Sequence, residues 1–267
     1  MTAPALAPVP DLVTTAPRLS AAGILRSEWI KLRSVRSTLW CYAMIVLFTV
    51  GVGAVVAAVS DQPAGQGSLV GSATAGTMIT VLVVAVVGSL IVTGEYGTGQ
   101  IRSTFSAVPR RTGVLAAKGA VLALTTFVVG LVSVAIAAVV SWAISGSPAV
   151  ELSQALVVPL VGAALYLTTI ALLAFGLGAI LRNTAGALAT ALGLLLVVPV
   201  VVTLLGGLTD AAWIQTVGEY LPQSLGTRVM GDGTGEGLGR WAALGYLGIW
   251  DAVVLVLAGV LVKRRDV

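Results

Sequence analysis

The sequence predicts an all-α, polytopic membrane protein: six transmembrane helices, an interfacial helix ahead of the first, and a short surface helix between the second and third. Three observations predict it. The 267 residues are 57% hydrophobic and 10% charged, with a mean hydropathy of +1.02, outside the range of soluble globular chains. The apolar residues gather into runs of about 20, the length at which an α-helix crosses a hydrocarbon core. Those runs are continuous, where the strands of a transmembrane barrel would read as short alternating segments. Helices also satisfy their own backbone hydrogen bonds, which hydrocarbon requires.

Taken in order, residues 1–17 are rich in Ala and Pro with a lone Asp11, the composition of a disordered tail. No basic residue precedes an apolar core of signal-peptide length there. Residues 18–267 form one membrane domain. From Arg18 to Ser37 charge mixes with apolar residues, and Leu25, Trp29 and Leu32 recur at i, i+4 and i+7. This stripe predicts a helix lying at the headgroups with those three as anchors, although Ile30 falls on the polar side. The alternative is a merely basic juxtamembrane stretch. Six spans follow, near 39–59, 72–92, 119–143, 155–180, 185–206 and 241–262. Pro159 and Pro199 should kink theirs, with Thr168, Thr169, Thr190 and Thr203 placed to satisfy freed carbonyls.

The connections set the orientation. Segments 61–67 and 145–153 carry no Lys or Arg, the turn at Arg182 is basic, and the C-terminal tail carries Lys263-Arg-Arg. Of 15 Lys and Arg residues only Arg228 and Arg240 fall on the other side. That asymmetry predicts both termini in the cytoplasm. The segment 208–240 is long for a connection, and its Trp213, Val217, Tyr220 and Leu221 suit short re-entrant or interfacial turns. Asp232 and Glu236 do not have the spacing of a calcium loop.

Several chemistries are excluded. The chain has no histidine and one cysteine, Cys41. Ser-His-Asp and Cys-His catalysis, histidine-bound zinc and an intrachain disulfide all fall away. Gly94 to Gly99 superficially opens a phosphate loop, but Gln100-Ile101 stands where Lys-(Ser/Thr) would be, and no strand precedes it. No metal, cofactor or nucleic-acid site is expected in this chain. The net charge of +4 reports topology, because it sits in the loops.

The most informative segment is 94–111, Gly-Glu-Tyr-Gly-Thr-Gly-Gln-Ile-Arg-Ser-Thr-Phe-Ser-Ala-Val-Pro-Arg-Arg, between the second and third spans. Gly94, Gly97 and Gly99 would let the backbone turn. One or two helical turns fit between Gln100 and Val108 before Pro109 stops them. Ile101 and Phe105, at i and i+4, make a small apolar face flanked by Arg102. Such a helix is a docking feature; the alternative is an ordinary positive-inside loop. Glu95 emerges at a helix C-terminus, where the dipole disfavours a carboxylate. Arg102, Arg110 or Arg111, or a cation on a partner, should offset it.

This segment resembles the first cytoplasmic loop of ABC-2 type transporter permeases, through Glu95, Tyr96, Arg102, Pro109, Arg110 and Arg111, with one extra residue at Gly99-Gln100. Residues 27–34, Tyr220 to Gly226 and the Lys263-Arg-Arg-Asp-Val ending resemble further parts of the same family, in the same order. The resemblance implies a coupling helix that sits on a separate ATPase subunit. Glu95, Tyr96, Ile101, Arg102, Phe105, Arg110 and Arg111 would then be coupling residues. It further implies ATP bound on that partner, a second permease subunit of the same or a different chain, and a bacterial plasma membrane.

Asp251 is the one charge near a bilayer midplane, about ten residues or ~15 Å from either end of the last span. It is either a substrate- or proton-linked site, or an internal helix–helix hydrogen bond or a span shifted so that Asp251 sits nearer water, and the latter pair is favoured. Three function classes remain: the permease subunit of an ATP-driven exporter, an ion-coupled secondary carrier using Asp251, and an intramembrane enzyme. A carrier would want several intramembrane charges and an internal repeat. An enzyme would want a histidine or a pair of acids. The exporter subunit is the best reading, and its substrate is not legible.

Overall fold

A computed structural model of the chain describes residues 20–60, 65–107, 111–146, 153–209, 211–231 and 238–265, with the backbone alone at 105 and 107. The expected tail at 1–17 lies outside these residues, as do Pro109, Arg110, Asp232 and Glu236. Among the described residues there is no strand. Six helical stretches have the length and composition to cross a membrane, and this is a multi-pass membrane protein.

Helix α1 (Ala21–Ser34) opens on Ser20, whose hydroxyl accepts a 3.0 Å hydrogen bond from the Gly23 N–H and so satisfies one orphan donor of the first turn. Val35 is extended and bends the chain into α2 (Arg36–Val59), the first span. The second span is two consecutive helices, α3 (Gln66–Ala75) and α4 (Thr77–Gly97), joined at Gly76. A Cβ on Gly76 would lie 2.5 Å from the Thr49 carbonyl oxygen, so glycine is what lets α2 come this close. After Thr98 and Gly99, the latter at φ +71°, comes α5 (Gln100–Ala107), lying between the second and third spans.

The third span is α6 (Arg111–Ser145) and the fourth α7 (Gln154–Leu181). The fifth is built of α8 (Thr184–Leu192), a wide-turn π segment at Gly193–Val197, and α9 (Val198–Leu208). Two short helices, α10 (Ala212–Glu219) and α11 (Pro222–Met230), precede the last span, α12 (Arg240–Arg264).

Helix α7 is the pillar. Phe175, Leu167 and Ile170 are fully buried on it, and α4, α6, α11 and α12 all pack around it. The fifth span is the least enclosed of the six. Because apolar burial drives little association within lipid, small residues and interhelical hydrogen bonds take over. The Cβ of a residue at 88 would meet the Ala171 carbonyl oxygen at 2.3 Å, so α4 and α7 touch backbone to backbone. Tyr42 shares a 2.9 Å hydrogen bond with Thr125, and Thr49 one of the same length with Thr80.

Pro159 lies within α7, which continues as one helix, and Thr168 and Thr169 donate to Ala164 and Tyr166 carbonyls in their own turns. Pro199 is absorbed by the π segment before it, where the Val198 N–H reaches back five residues to the Gly193 carbonyl. The wider turn accommodates a missing donor without a break. Thr203 donates to the carbonyl of Pro199 itself.

Helices α10 and α11 fill the expected place of short turns in 208–240. Trp213 and Val217 are exposed as expected for membrane-facing residues, whereas Leu221 is buried.

Candidate functional site

The elbow between the second and third spans is shorter than its glycines suggest. Gly94 and Gly97 are helical, and α4 runs on through Glu95 and Tyr96; only Gly99 takes the left-handed turn. On the other side α6 begins at Arg111, eight residues before the expected start, so Lys118 lies two turns inside a helix. Glu95 and Lys118 therefore face each other across the bundle, one just before the elbow and one just after it.

Between them stands α1. Glu28 is its one fully buried residue, and four charged side chains close into a ring. Lys118 donates to Glu28 Oε2 and, at 2.8 Å, to Glu95 Oε1. Lys31 donates to Glu28 Oε1 at 2.8 Å and to Glu95 Oε1 at 3.1 Å. Glu28, Glu95 and Lys118 are all below one-tenth exposed. Burial lowers the pKa of the Lys31 ammonium, but its bond to Glu28 and the charge of Glu95 more than offset this and hold it above its ordinary value. The four line one cavity of about 320 Å³ that reaches Thr98 and Gln100 at the elbow.

The ring answers the question Glu95 posed, with different partners from those expected. Its carboxylate is offset by Lys31 and Lys118 rather than by Arg102 or Arg111. Arg102 is exposed on α5, and Arg111 donates a 3.4 Å hydrogen bond to the Arg265 carbonyl. Arg110 lies outside the described residues.

The proposed apolar face of α5 also changes. Ile101 is buried at 4% exposure against its own chain and cannot be part of an outward docking face; the Phe105 side chain lies outside the described residues. Among the described side chains of α5 the outward ones are polar: Gln100, Arg102, Ser103 and Ser106. Thr104 turns toward α1, 3.4 Å from Lys31 Nζ.

Tyr96 is half-buried under the Arg182 guanidinium, 5.3 Å from ring centre to Cζ, a cation–π distance. Arg182 caps α7 in the left-handed conformation at φ 54° and also reaches the Arg265 carbonyl at 3.3 Å. The end of α12 is thereby tied to the base of the elbow.

Of the three anchors proposed on α1, Leu25 and Trp29 are exposed and Leu32 packs on the core. Trp29 also carries Arg33 at 5.9 Å from its ring centre. Asp251 is far from all of this, in the middle of α12. It is buried, and it makes no hydrogen bond or ion pair among the described residues, so the helix–helix hydrogen bond expected of it is not seen.

Sequence reasoning missed Glu28 and Lys118 as site residues. The signal was there: Glu28 is the sole acid in a basic stretch, and Lys118 the sole charge between Arg111 and the next apolar run. Buried charges pair, so two acids and two lysines flanking one elbow invited the pairing.

A family model described as ABC-2 family transporter protein matches residues 24–210. No curated protein gives a significant match. The matched region takes in α1, the elbow and the first five spans, and the chain belongs to the ABC-2 transporter family.

Proposed function

We propose that this member of the ABC-2 family is the permease subunit of an ATP-driven exporter, with the elbow side in the cytoplasm. A separate ATPase subunit seats on α5, and a second permease subunit completes the pathway. The observation that carries the reading is the closed charge ring. It pins the elbow helix at both ends, through Glu95 behind it and Lys118 ahead of it, to a common strut, α1. A push on α5 is thereby delivered to the second and third spans together rather than lost in a slack loop. Surface ion pairs rarely matter to stability. Burial makes this one costly to break and so specific in geometry.

Lys and Arg on the elbow side and an exposed arginine on α5 support cytoplasmic placement. Hydrolysis belongs to the partner on this reading, because the glycines at 94–99 have no phosphate-loop lysine. Asp251 as a carrier site is not favoured: it stands alone among the described residues, where ion-coupled carriers bring several polar groups together.

The test is reconstitution with the ATPase that co-purifies from native membranes. Arg102→Glu places an acid on an exposed position and should weaken co-purification while thermal stability stays unchanged. Glu95→Gln should retain association yet lose stimulation of ATP hydrolysis and transport. Wild-type coupling in both variants, or the absence of any co-purifying ATPase, would refute the proposal. Orientation is checked separately in a Cys41-free background. Impermeant thiol reagents should reach Gln62→Cys and Gly233→Cys from outside intact cells and not Ser103→Cys.

A further inference from the structure

A groove of about 400 Å³ opens on the outer surface of the bundle between α6 and α12, with α7 as its floor. Helices α6 and α12 each pack closely on α7 and only lightly on one another, so they splay in front of it. Gly119 and the exposed Ala120 form one wall, Leu172 and Phe175 the floor, and Leu255 and Gly259 the other wall. Gly259 lies five residues from the end of α12 and Ala123, at the upper limit, twelve from the start of α6. At ~1.5 Å per residue the lining runs from Thr112, one residue into α6, to Ala123, roughly 2 to 18 Å from the helix ends, within the depth of one leaflet.

Both walls end in a cation on the elbow side. Along α6, Arg111, Leu115 and Gly119 recur at i, i+4 and i+8; along α12, Leu255, Gly259 and Lys263 do the same. Residues at such spacing share a helix face. Arg111, which also donates to the Arg265 carbonyl, and Lys263 thus stand at the elbow-side end of each wall, with the exposed Arg264 next to Lys263. No described acid lines the groove: Glu95 is turned into the charge ring, and Asp251 lies buried above the groove. Counting Asp266, the sequence here still holds more bases than acids.

We propose that this groove holds one acyl chain of an anionic phospholipid from the inner leaflet, its phosphate placed between Arg111 and Lys263. An uncharged slot of chain width at leaflet depth, capped by cations at headgroup level, matches both halves of such a molecule. Basic pockets between helices on the cytoplasmic side select anionic lipid electrostatically, and the long lysine and arginine side chains reach the headgroup layer from a helix end. The placement rests on the elbow side being cytoplasmic, which the cysteine labelling above decides independently.

The experiment is native mass spectrometry of the protein released from nanodiscs of equal phosphatidylglycerol and phosphatidylcholine. It is paired with photolabelling by a phosphatidylglycerol that carries a diazirine in its acyl chain. The expected result is preferential retention of phosphatidylglycerol, with label on α6 around Ala120 and on α12 around Gly259. Ala120→Trp fills the groove from its lipid side and should abolish both signals. Lys263→Gln and Arg264→Gln, at exposed positions remote from core packing, should reduce retention roughly fivefold for each cation removed. Equal retention of the two lipids, label elsewhere, or unchanged retention in Ala120→Trp would overturn the proposal. So would a change of oligomeric mass without loss of lipid, which would make the occupant a second copy. Loss of transport with lipid count unchanged would make it a transported molecule and overturn the proposal too.

Discussion

At the elbow end of this molecule three helices meet through three buried charged side chains and a half-buried lysine, while at the opposite end the bundle closes through glycines that let backbones and rings approach. A Cβ at position 226 on α11 would fall 2.3 Å from the Tyr166 ring, and one at 162 on α7 would fall 2.5 Å from the Val229 carbonyl oxygen. Trp250 there donates a 3.1 Å hydrogen bond to the Tyr220 carbonyl, and Tyr220 meets Tyr246 edge to face at 4.8 Å. Both ends are tight, but they fail differently. Close packing of small residues tolerates no added volume and is indifferent to charge. A charge ring tolerates volume and fails when one member is lost, because the others are left buried without partners.

That difference orders the predictions. The largest effect is expected from Lys118→Met, which leaves Glu28 and Glu95 with Lys31 alone. Removing one partner of a buried pair costs about 3–5 kcal/mol, and the variant should lose most of its thermal resistance in detergent. Adding Glu28→Gln should restore part of it, since the surplus negative charge is then removed. A double variant no better than the single would show that the four side chains do not act as one unit.

Next comes Gly226→Ala at the opposite end, where the Tyr166 ring has no room to yield. Overpacking of this kind costs about 1–3 kcal/mol. Melting should fall while co-purification of an ATPase persists, because the elbow is untouched. If coupling fails along with melting, the two ends are not independent.

Asp251 lies between the two ends and belongs to neither. With no partner to lose and a buried carboxyl made neutral, Asp251→Asn should leave stability unchanged or raise it and leave transport intact. A well-assembled variant that no longer transports would give this residue a role in the pathway.

The two ends also differ in how far they could be read. The six spans follow from run length alone, and their ends moved by a few residues except where a charge sits inside a helix. Lys118 and Glu95 moved those limits, because once they pair with Lys31 and Glu28 they no longer need water and the helices can extend around them. Linear order put Glu28 and Lys118 90 residues apart, and no periodicity links them. Trp213 and Leu221 were readable as interfacial, but that Leu221 is buried depends on α11 tucking its Gly226 against Tyr166, a contact between distant segments. Ile101 was misread because its spacing matched an apolar face without saying which way the face turned.

The smallest predicted effect concerns pH and isolates Lys31 within the ring. Its ammonium faces Glu28 from its own helix, Glu95 from α4 and, through those carboxylates, Lys118 from α6. Its folded-state pKa stands above the ordinary 10.5, so the sign follows from linkage. The protonated form is the one the folded state favours. The contribution is complete below pH 10.5 and is lost as pH rises through the folded value. At neutral pH nothing should change. Lys31 is partly exposed, at 26% of its side chain, so solvent screens the interaction and the effect is modest. An environment-sensitive dye at Ser27→Cys, in a Cys41-free background, should report α1 loosening from the elbow only above pH 10.5. Lys31→Arg should move that transition to higher pH, because a guanidinium keeps its proton. Lys31→Met should abolish the step, leaving α1 equally loose on both sides of it. A transition that survives in Lys31→Met would belong to another group, and α1 would then owe its seat to Glu28 and Lys118 alone.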